Sequence, residues 1–291
     1  EGLLSDRSSC GGGLKAADIN HDGHLDLVVG DHCSGIYVYL GDGTGRWTAV
    51  VEQLMPFDLQ AEHDPEAGRG FRGCEDLDLG DVTGNGLFDI VAGGSDSGGV
   101  QVYFGDGTGE NWTRQVGASL PLQYWTQRVR FADINGDGHL DIVANYYQGP
   151  TVWLGDGAGG WTDASIGLPR HPNVKGVHQG LAIGDVNGDG LLDIVAAHWI
   201  NGVEVYLQQP DGRWKQLDDV FPRMSGSGGY GIDLGDIDGD GHLDIVVSGR
   251  LSTRPVWGVY YLRGDGMGNF EFVENSGLPA ANLSFAWGVR I

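Results

Sequence analysis

The sequence is poor in cysteine, proline and basic residues, and it lacks any long apolar run. Its three cysteines, Cys10, Cys33 and Cys74, allow one disulfide and one free thiol, too few for a densely crosslinked small scaffold. Ten prolines and no three-residue glycine period exclude a collagen-like chain. Lys and Arg number 17 against 40 Asp and Glu, a formal net charge of −23. The few basic residues form no cluster long enough to track phosphates, so nucleic acid is not an expected partner. No run approaches the roughly 18 apolar residues of a membrane-spanning helix, and no membrane insertion is expected. The sequence also holds no GxSxG and no HExxH, and no residue set stands out as a nucleophile, base and orienter.

What the chain has in abundance is glycine, 53 of 291 residues, clustered at turns between short apolar runs. It also has an internal repeat. Five copies of one acidic nonapeptide are present: DINHDGHLD (Asp18–Asp26), DVTGNGLFD (Asp81–Asp89), DINGDGHLD (Asp133–Asp141), DVNGDGLLD (Asp185–Asp193) and DIDGDGHLD (Asp236–Asp244). Their starts lie 63, 52, 52 and 51 residues apart, a period that marks a repeat architecture.

Around the fourth copy, GLAIGD (Gly180–Asp185) reads as a short strand and LLDIVAAH (Leu191–His198) as a buried one. VEVYLQQ (Val203–Gln209) alternates as a third strand, and RWKQL (Arg213–Leu217) follows a Pro-Asp-Gly turn as the fourth. The other copies repeat this script, with GDGTG, GDGAG or GDGMG turns followed by Trp47, Trp112, Trp161 or Phe270. One four-stranded sheet cannot hide both its faces, and radial stacking of sheets would solve that problem. The expected fold is therefore all-β: a single β-propeller domain over 1–291, built of four-stranded antiparallel blades. The repeats fall at about 2–50, 51–115, 116–166, 167–218 and 219–273, with an additional C-terminal strand in 277–291.

The Asp-x-(Asp/Asn)-x-(Asp/Asn)-Gly spacing is the first half of a calcium-loop signature, in which side chains at positions 1, 3 and 5 and a carbonyl at 7 converge on the ion. The expected ligands are Asp18, Asn20, Asp22, His24 and Asp26 in the first loop and Asp81, Thr83, Asn85, Leu87 and Asp89 in the second. They continue with Asp133, Asn135, Asp137, His139 and Asp141, then Asp185, Asn187, Asp189, Leu191 and Asp193, then Asp236, Asp238, Asp240, His242 and Asp244. The position-7 residues, His24, Leu87, His139, Leu191 and His242, enter through their carbonyls. Hard oxygen donors favour Ca2+ over zinc or copper, giving up to five structural ions, one per loop.

Each acidic loop runs into a segment of one type: LDLVVG (Leu25–Gly30), FDIVAG (Phe88–Gly93), LDIVAN (Leu140–Asn145), LDIVAA (Leu192–Ala197) and LDIVVS (Leu243–Ser248). With these segments the whole chain resembles the FG-GAP/VCBS repeat family. That resemblance implies calcium loops in integrin-type propellers, usually of seven blades, where five repeats are visible here. It also implies a setting such as integrin heads, secreted lectins, toxin scaffolds or modules of polysaccharide-degrading enzymes. Fold does not fix function among these.

The acidic loop joins strands one and two, so the segments after strand two and before strand one share the opposite end. Those segments concentrate aromatic rings beside His, Arg, Gln and Asp, the make-up of a sugar site. The expected ligand-binding groups are Tyr146 and Tyr147 with His178 and Gln179, His198 and Trp199 with Tyr230, and Trp125 with Arg128 near Asp96. The expected function is that of a secreted, calcium-stabilised, lectin-like protein whose partner is a glycan or glycoprotein. The alternatives are a protein-binding adhesion module, or a polysaccharide lyase or hydrolase or its accessory propeller, with His178 or His198 as base and Glu75 or Asp76 as acid. The chain starts at Glu1 rather than Met, as a processed or trimmed N-terminus does. Secretion would favour a disulfide from Cys33 to Cys10 or Cys74.

Overall fold

The computed structural model describes residues 11–32, 34–54, 73–95, 98–116, 119–121, 125–146, 149–170, 178–198, 201–218, 220, 231–251, 257–278, 289 and 291. Among the described residues, twenty strands form five four-stranded antiparallel sheets, each in linear order. Sheet one is β1 (Gly11–Ala17), β2 (Asp26–Asp31), β3 (Gly35–Gly41) and β4 (Trp47–Leu54). Sheet two is β5 (Cys74–Gly80), β6 (Asp89–Gly94), β7 (Val100–Gly105) and β8 (Trp112–Arg114). Sheet three is β9 (Thr126–Ala132), β10 (Asp141–Tyr146), β11 (Gly149–Gly155) and β12 (Trp161–Asp163). Sheet four is β13 (His178–Gly184), β14 (Asp193–His198), β15 (Gly202–Gln208) and β16 (Trp214–Gln216). Sheet five is β17 (Ile232–Gly235), β18 (Asp244–Arg250), β19 (Trp257–Gly264) and β20 (Phe270–Phe272).

The second strands are the apolar centre of each repeat. Every residue of β6 and β14 is buried, as expected of a β-branched run covered on both faces. Ile90, Ile142, Ile194 and Ile245 occupy the same position after the loop, each fully buried, and each contributes about 1.5–3 kcal/mol through burial. The aromatics after the third-strand turn also pack: Trp161 and Trp214 are buried, and Trp112 lies against the core of its sheet.

The expected ring-closed propeller is corrected by these sheets. Among the described residues each sheet is open, pairing stops at its first and fourth strands, and none closes on itself. The residues separate into two compact units, 1–133 with 137–146 and 152–163, and 134–136 with 147–151 and 164–291. The fourth strands of sheets two to five, β8, β12, β16 and β20, are only three residues long, short edges that offer little to pair with. Most of the expected C-terminal strand, residues 279–288 and 290, lies outside the described residues.

In the first unit, neighbouring sheets meet through side chains on their first strands. Asp76 Oδ2 accepts from Val129 N at 3.2 Å and Asp78 Oδ2 from Phe131 N at 3.1 Å, so β5 carboxylates satisfy edge amides of β9. Arg130 pairs with Asp76 at 2.5 Å and Lys15 of β1 with Asp78 at 2.7 Å. β1 approaches β5 so closely that a Cβ on Gly12 would lie 2.3 Å from the Cys74 carbonyl oxygen. In the second unit, Asp233 Oδ2 of β17 accepts from Ile291 N at 2.9 Å in the same manner.

Cys74 is a free, buried thiol, and burial, then the charges of Asp76 and Glu75, push it well above the ordinary thiol range. Cys10 and Cys33, the other members of the expected disulfide, lie outside the described residues. No helix is long and apolar enough to cross a membrane among the described residues.

Candidate functional site

Each acidic loop is folded by one hydrogen-bond pattern. The position-1 carboxylate accepts from the amides of positions 5 and 6, as Asp18 does from Asp22 N and Gly23 N, both at 3.0 Å. The same pairs recur at Asp81, Asp133, Asp185 and Asp236. Position 5 then accepts from the amide of position 7, as in Asp137 to His139 N at 2.8 Å. The aspartate at position 9 is fully buried in all five loops. It clamps the loop start to the end of strand three: Asp26 accepts from Ile19 N and Gly41 N, both at 2.9 Å. Asp193 does so from Val186 N at 3.1 Å and Gln208 N at 2.9 Å. The position-9 side chain is thus a strut of the repeat in its own right.

One loop gathers the ligands of a hard cation. Ligand oxygens of Asp236, Asp238 and Asp244 lie within 4.8 Å of one another, an acidic cluster able to chelate a metal ion. In the second loop the buried hydroxyl of Thr83, at position 3, has no hydrogen-bond partner, which calls for an unseen polar partner. Burial pushes the Asp193 carboxyl up to about 7 against its two amide donors, and the charges of Asp189 and Asp185 add to the push. An oxygen-bound divalent cation is the charge that would oppose it.

The far end of the first unit holds a different group. His32 follows β2, Glu75 is the second residue of β5, and Trp125 immediately precedes β9. His32 Nδ1 contacts Glu75 Oε1, and Trp125 Nε1 donates to the same oxygen at 2.7 Å. The two rings lie 6.2 Å apart at 53°. Beneath them, buried Ser95 Oγ donates to the His32 carbonyl and accepts from Gly73 N, both at 3.1 Å. Burial raises the Glu75 carboxyl, while His32, Trp125 and then Arg128 hold it down.

Glu75 reaches this group because it sits on a β-bulge. The register between β5 and β6 slips between Cys74 and Asp76. The same slip leaves Gln127 unpaired in sheet three and Gln179 in sheet four. A bulge re-aims its side chain, and all three positions carry long polar groups. Gln127 Nε2 and Gln179 Oε1 are buried without a hydrogen-bond partner.

The sequence-expected ligand residues are distributed unevenly. Trp125 and Arg128 stand at this site, in the first unit with Glu75 and His32. Tyr146 packs edge-on against Trp153, with ring centroids 6.3 Å apart, against the core of its unit. His198 is buried, and its Nδ1 accepts from Asn201 N at 3.0 Å, as a turn cap does. Gln179 is the buried bulge residue of sheet four. Asp96, Tyr147, Trp199, Tyr230 and the side chain of His178 lie outside what is described. Sequence reading missed His32 and Gln127. Their only signal was position, directly after strand two and second in strand one.

Solved structures share this fold. A lectin of Agrocybe aegerita, described for its specific recognition of non-reducing terminal N-acetylglucosamine, has a TM-score of 0.54 at 23% identity, over 88% of this chain and 63% of its own. An exo-β-1,3-galactanase of Phanerochaete chrysosporium, solved with β-1,3-galactotriose, has a TM-score of 0.53 at 12% identity, over 91% of this chain and 63% of its own. The V. cholerae biofilm matrix protein Bap1 has a TM-score of 0.51 at 18% identity, over 93% of this chain and 40% of its own. The chain therefore spans less than two thirds of the length of each. No curated protein matches the sequence. The FG-GAP-like repeat model matches residues 18–68, 81–144, 133–196 and 185–247, each match starting on the first aspartate of an acidic loop. On that match, which covers well over half of its length, the chain belongs to the FG-GAP-like repeat family.

Proposed function

We propose that this chain is an extracellular carbohydrate-recognition module, with a glycan or glycoprotein as partner and calcium in its acidic loops as a structural staple. One observation carries the reading: Trp125, Glu75 and His32, at the ends of strands of three different sheets, are tied into a single polar and aromatic group away from the acidic loops. A ring face beside a fixed carboxylate and an imidazole suits the apolar and hydroxyl faces of a sugar. Tyr147, Trp199 and Tyr230 remain proposed contributors at the corresponding places of other repeats. The first probes are N-acetylglucosamine and β-1,3-galactotriose, the sugars of two proteins with this fold. In a calcium-replete glycan array followed by calorimetry, Trp125→Ala is expected to weaken the best hit by about tenfold or more, with thermal unfolding still responsive to calcium. Absence of any glycan signal would sink the reading.

A second reading takes the chain as part of, or accessory to, a polysaccharide-acting enzyme, since an exo-β-1,3-galactanase has this fold. Incubation with β-1,3-galactan separates the two roles. Binding without release of reducing sugar fits a module, and release fits an enzyme.

A further inference from the structure

The site just proposed contains two opposite charges that do not meet. Glu75 Oε1 takes both the His32 contact and the Trp125 bond, and among the described residues nothing engages Oε2. Arg128 donates through one guanidinium nitrogen to the Gln127 carbonyl at 2.7 Å. It lies between Trp125, which bonds Glu75, and Arg130, which pairs with Asp76, and forms no ion pair with Glu75 among the described residues. The next pair along the same two strands is closed, with Arg130 on Asp76 at 2.5 Å. The difference follows from register. Glu75 sits on the bulge of β5, and Arg128 follows the bulge at Gln127 of β9. Two successive bulges hold an acceptor and a set of donors apart at one site.

Resting on the carbohydrate reading, we propose that Glu75 Oε2 and the Arg128 guanidinium read two adjacent hydroxyl groups of an uncharged sugar residue laid against Trp125, and that the site rejects uronic acids and amino sugars. A hydroxyl both donates and accepts, so one can donate to the carboxylate while its neighbour accepts from the guanidinium. A ligand carboxylate would suit Arg128 but stand beside Glu75 as a like charge. A ligand ammonium would suit Glu75 and be repelled by Arg128. Each mismatch is costly where the side chains are largely shielded from water, and the Glu75 side chain is only 12% exposed.

Calorimetry on the full chain tests this with methyl glycosides of galactose and N-acetylglucosamine, their glucuronic acid and glucosamine counterparts, and monodeoxy analogues of the best neutral binder. The neutral sugars are expected to bind at least about tenfold more tightly than either charged sugar. One deoxy analogue that breaks the hydroxyl pair should lose about tenfold. Glu75→Gln should lower affinity for the neutral sugar and relax rejection of the glucuronide. Arg128→Gln should relax rejection of glucosamine, a change in charge preference that loosened packing alone would not produce. Glu75 also anchors His32 and Trp125, so should its variant fail to fold, the wild-type panel and Arg128→Gln decide. Charged sugars bound as well as neutral ones, or deoxy analogues bound without loss, would overturn this inference and leave carbohydrate recognition standing. No binding across the whole panel would overturn both.

Discussion

His21 is the only residue other than glycine with a positive φ among the described residues, at 58°. It occupies position 4 of the first acidic loop. The same position is Gly84, Gly136, Gly188 and Gly239 in the other loops, with φ between 69° and 80°. The loop therefore demands a left-handed residue there, and a side chain with a Cβ is strained in that conformation by about 1–2 kcal/mol. His21→Gly is expected to raise stability by about 0.5–1 kcal/mol, after glycine's greater freedom in the unfolded chain is discounted. Urea unfolding in chelator and in calcium reads it, and a lower midpoint in both would refute it. At this scale the sequence was legible where residue type alone decides. The Asp, Asn and Gly of each loop announced the turn their hydrogen bonds form, and Trp125, singled out by residue type, lies against Glu75. His32 and Gln127 were not legible, and Glu75 was legible only as a candidate acid: Glu75 and Gln127 sit on register slips, and His32 simply follows β2. A bulge has no composition of its own, and an ordinary first strand would have placed Glu75 differently.

At the scale of the element, the acidic loop has two jobs that the nonapeptide pattern does not separate. Position 9 is a buried double acceptor that ties loop to strand, and in the fifth loop it also joins positions 1 and 3 in the cluster able to chelate a metal ion. Asp26→Asn keeps one acceptor and turns an amide NH2 toward either Ile19 N or Gly41 N. It is expected to cost about 1–3 kcal/mol, in chelator as well as in calcium. Asp238→Asn is different. Asparagine already fills position 3 as Asn20, Asn135 and Asn187, so the fold should tolerate it, while the Asp236, Asp238 and Asp244 cluster loses a charge. Its melt in chelator should match the unaltered protein, and its gain in stability with calcium should shrink. An Asp26→Asn variant that is destabilised only in calcium would assign position 9 to the metal alone. The strands themselves were legible: the fourth repeat's expected strands fall within a few residues of β13 to β16. Ring closure was not. Period and patterning report how one sheet is built, whereas closure depends on how its edges are covered, here by carboxylates such as Asp76 and Asp78 on the amides of the next sheet.

For the whole molecule, the excess of acid sets the conditions under which it is stable. A net charge of −23 repels itself, and part of that charge is held in buried carboxylates that resist ionisation. Asp193 is the clearest case: burial, with Asp189 and Asp185 beside it, raises its carboxyl from the ordinary value to about 7. Burial raises Asp89 in the same direction. When the folded pKa lies above the unfolded one, the folded state holds the proton over a wider range. The contribution of Asp193 to stability is then fully present below about pH 4 and is lost as pH rises to about 7, at up to about 1.4 kcal/mol per pH unit. On the proposed reading calcium would bind the ionised carboxylate in competition with that proton, so the sign of the pH response should change with the ion. In chelator, stability is expected to fall between about pH 5 and pH 7.5. With millimolar calcium the fall should flatten or reverse, because binding to the folded state adds stability by mass action and strengthens as the ligands lose their protons. Denaturant unfolding at three pH values, with and without calcium, measures the coupling. A calcium effect of equal size at pH 5 and pH 7.5 would show that the buried carboxylates of these loops are not what the ion engages.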